Sequence, residues 1–165
     1  PVSLSFLISC KKHDETESWV SKVLPGRVET DPELYGTMTM QQLGQRMISF
    51  LKTHNPSEQL NKAYSTLPQM DMLPRDAYTQ LVRDNTELVS IYDLAGRTAA
   101  NSVIPYPPGI PMLMSGENFG DKNSPQIAYL QALQAWDDAF PGFEHETEGA
   151  EKEQGVYHVM CVKAV

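Results

Sequence analysis

The four histidines and two cysteines of this 165-residue chain are the side chains best suited to acid–base, nucleophilic or metal chemistry. His145 stands among Glu144, Glu146 and Glu148. Such a group would suit a metal ion or a polycation if its donors converged. On an extended strand, however, alternate residues point to opposite faces, so His145 is turned away from the three carboxylates. The plainer reading is an acidic hairpin or loop surface that continues through Glu151 and Glu153. His158, inside the run VYHVMCV, reads as a partly buried strand histidine. His13 precedes Asp14 at a helix start, and His54-Asn55-Pro56 reads as a helix end, where a polar ring suits the exposed carbonyls. Cys10 and Cys161 lie in apolar runs near opposite ends with no CxxC spacing, and read as small core residues of a reducing cytosol. No GxSxG elbow, HExxH helix or GxxxxGK[ST] loop occurs.

Pro105-Tyr106-Pro107-Pro108-Gly109-Ile110-Pro111 is the segment that most needs a reason. Four prolines in seven residues fix φ and remove four backbone donors, which predicts an extended, stiff stretch. Its spacing fits PxxP, so an exposed ligand for an SH3-type groove is one reading. The apolar flanks, Val103-Ile104 before and Met112-Leu113-Met114 after, favour a segment packed within a fold. There it would serve as a rigid edge setting the angle between domains or subunits. Gly116-Glu117-Asn118-Phe119-Gly120 is glycine-flanked and acidic, a poor phosphate cradle, and reads as a turn displaying one carboxylate.

The elements that must carry these residues follow from composition and period. Hydrophobic residues make up 41% and charged residues 21%, a globular balance. A chain of this size buries roughly two-thirds of its extended surface, enough for a core without staples. Net charge is −8, from 21 acids against 13 bases, which argues against nucleic acid or an anionic membrane as a partner. No apolar run approaches the ~20 residues that span a bilayer, and the opening PVSLSFLISC lacks the pattern of a signal peptide. A cytoplasmic protein is expected.

Leu4 to Ile8 reads as a buried strand, and residues 14–24 as a helix capped by Asp14 and stopped by Pro25-Gly26. Thr39 caps a second helix through Leu51, with Leu43, Met47, Phe50 and Leu51 on one face. Ser57 starts a third that ends near Pro68. Pro74 opens a fourth whose inward face is Tyr78, Leu81 and Val82. Glu87 to Ile91 is a strand, and Asp93 caps a short helix over Leu94 to Ala100. Ser124-Pro125 starts a helix with Ile127, Leu130, Leu133, Trp136 and Phe140 inward, ending at Pro141-Gly142. GFEHETEG and VYHVMCV read as strands joined by the polar loop AEKEQG. The composite is an α+β fold, short mixed strands packed with helices.

Several of these segments together carry a resemblance. Val103-Ile104-Pro105-Tyr106-Pro107-Pro108-Gly109-Ile110-Pro111, then Gly116-Glu117, then Phe140-Pro141-Gly142-Phe143-Glu144, resemble the carboxy-terminal domain of the bacterial ornithine/lysine/arginine decarboxylases. Asp31-Pro32-Glu33-Leu34-Tyr35, Leu94-Ala95-Gly96-Arg97 and Gly155-Val156-Tyr157-His158-Val159 stand in the family's order. Met114-Ser115-Gly116-Glu117-Asn118-Phe119-Gly120-Asp121 and His145-Glu146-Thr147-Glu148-Gly149 look most like the acid-induced arginine branch. The stretch KKHDETESWVSK is shorter than, and poorly matched to, its family counterpart.

The resemblance implies a fold-type I pyridoxal-phosphate enzyme that removes the α-carboxylate of arginine, consuming a proton and yielding agmatine and carbon dioxide, as in acid resistance. That chemistry needs a lysine to hold the cofactor and an acid on its ring nitrogen. None of the eight lysines has the family's cofactor-lysine context, so no catalytic, cofactor or metal residue is carried over. The cofactor belongs to the parent enzyme, and none is expected on this chain alone. The resemblance further implies that residues 1–68 are the tail of the cofactor-binding small domain with linking helices. Residues 69–165 are then the terminal domain, packed near the active-site entrance and within a homo-oligomer. The alternatives are a stand-alone binding module derived from this domain, or the same domain of a lysine or ornithine decarboxylase.

Overall fold

Proline and capping side chains decide where helices begin in this chain. The computed structural model describes residues 19–106 and 108–164, and the chain divides into two compact units, Pro1–Thr53 and His54–Val165. The strand expected at Leu4 to Ile8 and the cap at Asp14 lie outside the described residues.

In the first unit, α1 (Val20–Val23) is a single turn that ends at Leu24. Pro25 cannot continue it but suits a first helical position, where no intrahelical donor is needed. It therefore opens α2 (Pro25–Thr30), so the sequence's stop signal is also a start. α3 (Pro32–Tyr35) repeats the device, with the Asp31 carboxylate accepting from Leu34 N at 2.9 Å. α4 (Met40–His54) starts on a reciprocal cap. Thr39 Oγ1 accepts from Gln42 N at 3.2 Å, and Gln42 Oε1 accepts from Thr39 N at 2.9 Å. Of the face read from its spacing, Leu43 is buried, while Leu51 stays 43% exposed.

The second unit is built on two helices and a small sheet. α5 (Pro56–Ser65) packs along α7 (Pro125–Ala139). Gln126 secures that pairing: its buried Nε2 donates to Ala63 O at 3.0 Å and to Thr66 O at 2.7 Å. Ser124 caps α7 through Ile127 N, and Ile127, Leu130 and Phe140 are buried as their spacing predicts. Strands β2 (Thr86–Ser90), β6 (Ala150–Glu153) and β7 (Val156–Val162) form an antiparallel sheet in the order β2-β7-β6. Central β7 turns Val159 and Cys161 into the core, with Ile91, Leu94, Leu113, Phe119 and Leu130. Two ribbons complete the unit: β1 (Gln69–Met70) with β4 (Glu117–Asn118), and β3 (Ile104–Tyr106) with β5 (Glu146–Glu148). The architecture is α+β, as the sequence pattern indicates.

Three local expectations are corrected. The polar stretch AEKEQG is not a loop but β6 and a tight turn, polar because β6 is an exposed edge strand. Gln154 and Gly155, both at positive φ, close its hairpin with β7. Leu94 to Ala100 does not form a helix. Its donors go to other segments instead: Gly96 N to Gly120 O, Ala99 N to Glu117 O and Ala100 N to Met160 O. Tertiary pairing there outweighs local helix propensity. Finally, α6 (Pro74–Val82) meets the body through fully buried Ala77. The face expected to be inward is turned out, with Tyr78 63%, Leu81 37% and Val82 67% exposed.

Two glycines at similar φ differ in their surroundings. A Cβ on Gly149 (φ +84) would sit 2.0 Å from Ser102 O, whereas one on Gly155 (φ +85) meets nothing within 4 Å. Gly149→Ala is therefore expected to destabilise by about 3 kcal/mol or more, through clash and strain together, and Gly155→Ala by only about 1 kcal/mol. Denaturant midpoints of the two variants check this; equal losses would show that the close approach at Ser102 does not matter.

Candidate functional site

The described region with the most concentrated chemistry is one that sequence spacing did not single out. Asp137, in the last turn of α7, is 3% exposed, and its side chain is fully sealed from water. A carboxylate in that position needs partners, because burying an unpaired charge is prohibitive. Its Oδ1 lies 2.7 Å from His145 Nδ1 and accepts from His145 N at 3.1 Å. Its Oδ2 accepts from Tyr157 Oη at 2.7 Å, with Lys152 Nζ at 3.6 Å. The Lys152 ammonium also stands over the Tyr157 ring, 5.1 Å from its centre. Beside it, Gln134 donates to Asp138 Oδ1 at 2.8 Å and Gly155 O at 2.9 Å, while its Oε1 accepts from Tyr157 N. One helix, the approach to β5, and both strands of the β6–β7 hairpin thus meet at one carboxylate.

Burial pushes the Asp137 carboxyl up, but hydrogen bonds from His145 and Tyr157, with electrostatic attraction to His145, outweigh it and hold it below its ordinary value. The Tyr157 phenol is driven upward, first by burial and then by its bond to Asp137 and the nearby carboxylates. Carboxylate, imidazole and phenol in contact could in principle relay a proton. Here the His145 and Asp137 side chains are only 8% and 0% exposed. The arrangement works as a buried clamp. The signal that could have found it is positional: Asp137 continues the inward 3–4 spacing of Ile127, Leu130 and Gln134 along α7.

The residues singled out from sequence fall into two groups. Pro105 is buried, but Tyr106, Pro108, Gly109 and Pro111 are exposed, and Pro107 lies outside the described residues. The segment runs extended through β3, as expected, and then turns back. Gly109 N donates to Pro105 O at 2.9 Å with Gly109 at φ +74, a turn that glycine permits. Gly116 (φ +90) is pressed against Met72 O, and its own carbonyl accepts from Asp71 N and Met72 N. The Glu117 carboxylate is not displayed; Oε2 turns back to accept from Met114 N at 2.7 Å. His158 Nδ1 is held by Val156 O at 2.9 Å, within its own strand. Cys161 is a free, buried thiol whose pKa is pushed up to about 12, chiefly by burial.

Among the described residues no group of three or more His, Cys, Asp or Glu side chains could hold a metal ion, and no helix is long and apolar enough to cross a membrane. Nor do the described lysines fit a covalent seat for an aldehyde cofactor. Lys22, Lys52 and Lys122 are exposed, Lys62 pairs with Glu58, Lys163 donates to Asp84 O, and Lys152 serves the clamp.

The depressed Asp137 carboxyl contributes stability that is present above the unfolded value of about 3.9 and is lost as pH falls through its lower folded value. Asp137→Asn is expected to destabilise by about 3–5 kcal/mol at neutral pH, as for other broken buried pairs. The deficit should shrink once the wild-type carboxylate itself is protonated. Thermal unfolding of both proteins across the acid range checks this, and a pH-independent deficit would contradict it.

A family model described as Orn/Lys/Arg decarboxylase, C-terminal domain, matches residues 57–163. The biodegradative arginine decarboxylase of Escherichia coli strain K12 is 58% identical over 158 residues, covering 96% of this chain and 21% of that protein. The lysine decarboxylase of Hafnia alvei is 34% identical over 146 residues, covering 87% of this chain and 20% of that protein. The solved structure of the constitutive lysine decarboxylase of E. coli superposes with a TM-score of 0.84 at 31% identity, covering 97% of this chain and 23% of that one. The chain therefore spans about a fifth of the length of the curated relatives it matches. The family match begins in the second unit at α5, the helix packed against α7, and runs through β7. The clamp at Asp137 thus lies inside a recognised domain, and the chain belongs to the Orn/Lys/Arg decarboxylase family as its carboxy-terminal domain.

Proposed function

We propose that this chain is the carboxy-terminal part of a pyridoxal-phosphate-dependent arginine decarboxylase that converts arginine to agmatine and carbon dioxide in the cytoplasm. The observation that carries the reading is the 58% identity to a biodegradative arginine decarboxylase, against 34% to a lysine decarboxylase. In this reading the cofactor and the reacting groups belong to the parent polypeptide. Residues ahead of α5, and not the 1–68 expected from sequence, are the tail of its cofactor-binding small domain with linking helices, because the C-terminal-domain match begins at residue 57. The remainder packs beside the active-site entrance and takes part in a homo-oligomer.

The surface of the chain is consistent with that role. Leu67 is 90% exposed, and Met70, Leu73, Tyr78 and Val82 are at least half exposed. So much large apolar surface suits a face covered by more protein. The Asp137 clamp supplies rigidity to a packing body.

The direct test supplies the complete polypeptide with pyridoxal phosphate at acidic pH and offers arginine, lysine and ornithine in turn. Agmatine release from arginine, with much slower turnover of the other two, is expected. Preference for lysine or ornithine would overturn the substrate assignment, and agmatine release by the 165-residue chain alone would overturn the division of labour. A second expectation follows from the net charge of −8. Protonating carboxylates relieves like-charge repulsion, so association should strengthen as pH falls and as salt rises. Sedimentation insensitive to both would contradict it.

A further inference from the structure

The proline turn and β5 build a groove that the clamp does not use. In the β3–β5 ribbon, Pro105 pairs with Thr147, and both face the interior. Their neighbours Ile104, Tyr106, Glu146 and Glu148 therefore share the outer face, with Ile104 opposite Glu148 and Tyr106 opposite Glu146. With Gly109 they line a cavity of about 280 Å³. The Tyr106 ring lies against Gly109 so closely that a Cβ there would be 2.6 Å from Cε2. The turn is held at several points: Gly109 N on Pro105 O, Tyr64 Oη donating to Ile110 O at 2.7 Å, and Met112 N on Val103 O. Tyr106 and Ile110 nevertheless remain 64% and 55% exposed. They form a preorganised aromatic and aliphatic knob, the kind of surface that loses little entropy on being covered.

What covers it is constrained by charge. Glu146 and Glu148 are exposed and form no ion pair among the described residues. Any segment laid over Tyr106 and Ile104 also removes water from these two carboxylates. An apolar occupant would leave them buried and unmatched, at a cost of several kcal/mol each. A cationic side chain instead gives each a charge-assisted hydrogen bond, and its methylenes can lie on Ile104 and the Tyr106 ring. The ring adds a cation–π contact. The volume also favours a single side chain, because small-molecule sites generally run from roughly 300 to 1,000 Å³.

We propose that this groove docks an arginine or lysine side chain carried by a segment of the same polypeptide lying outside these 165 residues. The inference rests on the reading that the chain is part of a larger decarboxylase, and it names the surface and the chemistry by which the rest is engaged.

The test places a photo-crosslinking p-benzoyl-phenylalanine at position 106 of the complete polypeptide, with agmatine release measured on the same preparation. One dominant cross-link to a segment outside residues 1–165, beside an arginine or lysine, is expected. Cross-linking to residues 1–165 of a second copy, to an unrelated protein, to a small-molecule cation only, to a segment without a basic residue, or to nothing would overturn the proposal. A preparation that releases agmatine yet gives one of those results fails the docking inference alone. A preparation that folds, binds cofactor and decarboxylates none of the three amino acids fails the underlying reading. Glu146→Lys with Glu148→Lys should cut the cross-link yield by about tenfold, and reversing the located basic residue to glutamate should restore it. Glu146→Gln with Glu148→Gln keeps the shape and tests charge alone; a yield unchanged by either pair would also overturn the proposal.

Discussion

A carboxylate shut away from water at the end of a helix must be matched by hydrogen bonds and positive charge, and in this protein that requirement organises the second unit. Asp137 has four partners drawn from different parts of the chain: the ring and backbone of His145, the Tyr157 phenol and the Lys152 ammonium. Because α7 also carries the buried Ile127 and Leu130 and is joined to α5 through Gln126, fixing its last turn fixes the helix against the sheet. The β6–β7 hairpin is then located twice, by Lys152 and Tyr157 at Asp137 and by the Gly155 carbonyl at Gln134. An apolar residue at position 137 could fill the space but could not specify which strand residues meet the helix. The polar centre therefore serves geometry more than net stability.

How much of this was legible depended on whether local chemistry or distant pairing decided each element. Helices announced by a capping side chain, with or without proline at the first turn, start close to where the sequence places them, because those signals act within one turn. Thr39 and Ser124 are examples. The strands at Glu87 to Ile91 and Val156 to Val162 were legible because β-branched and apolar residues crowd them. By contrast, β6 is an edge strand whose residues after Ala150 are all charged, and its pairing with β7 makes it a strand. The segment after Asp93 has local helix signals but sends its amides to Gly120, Glu117 and Met160, which no window of neighbours can show.

The candidate site was less legible than the fold, for the same reason. His145 was considered among the neighbouring glutamates, which are its sequence neighbours. Its actual partner is on α7. Asp137 sits beside Asp138 in a run that suggests a solvated helix end, yet the two differ completely in burial. The proline segment is extended only through Tyr106, in β3, and one glycine at positive φ then lets it turn, a change that proline content does not reveal. Family membership survives these local misreadings because it rests on many uncommon residues in fixed order, and not on the conformation of any one segment.

The second unit depends most on Asp137 being ionised inside the protein, and carbon-13 NMR of the protein labelled at aspartate carboxyl carbons observes this directly. The Asp137 resonance should keep its carboxylate shift below pH 3.9, about where a free aspartate is half protonated. A resonance that titrates at or above that value would mean that the carboxyl is neutral where it matters, and the clamp would not be the constraint that holds the unit together.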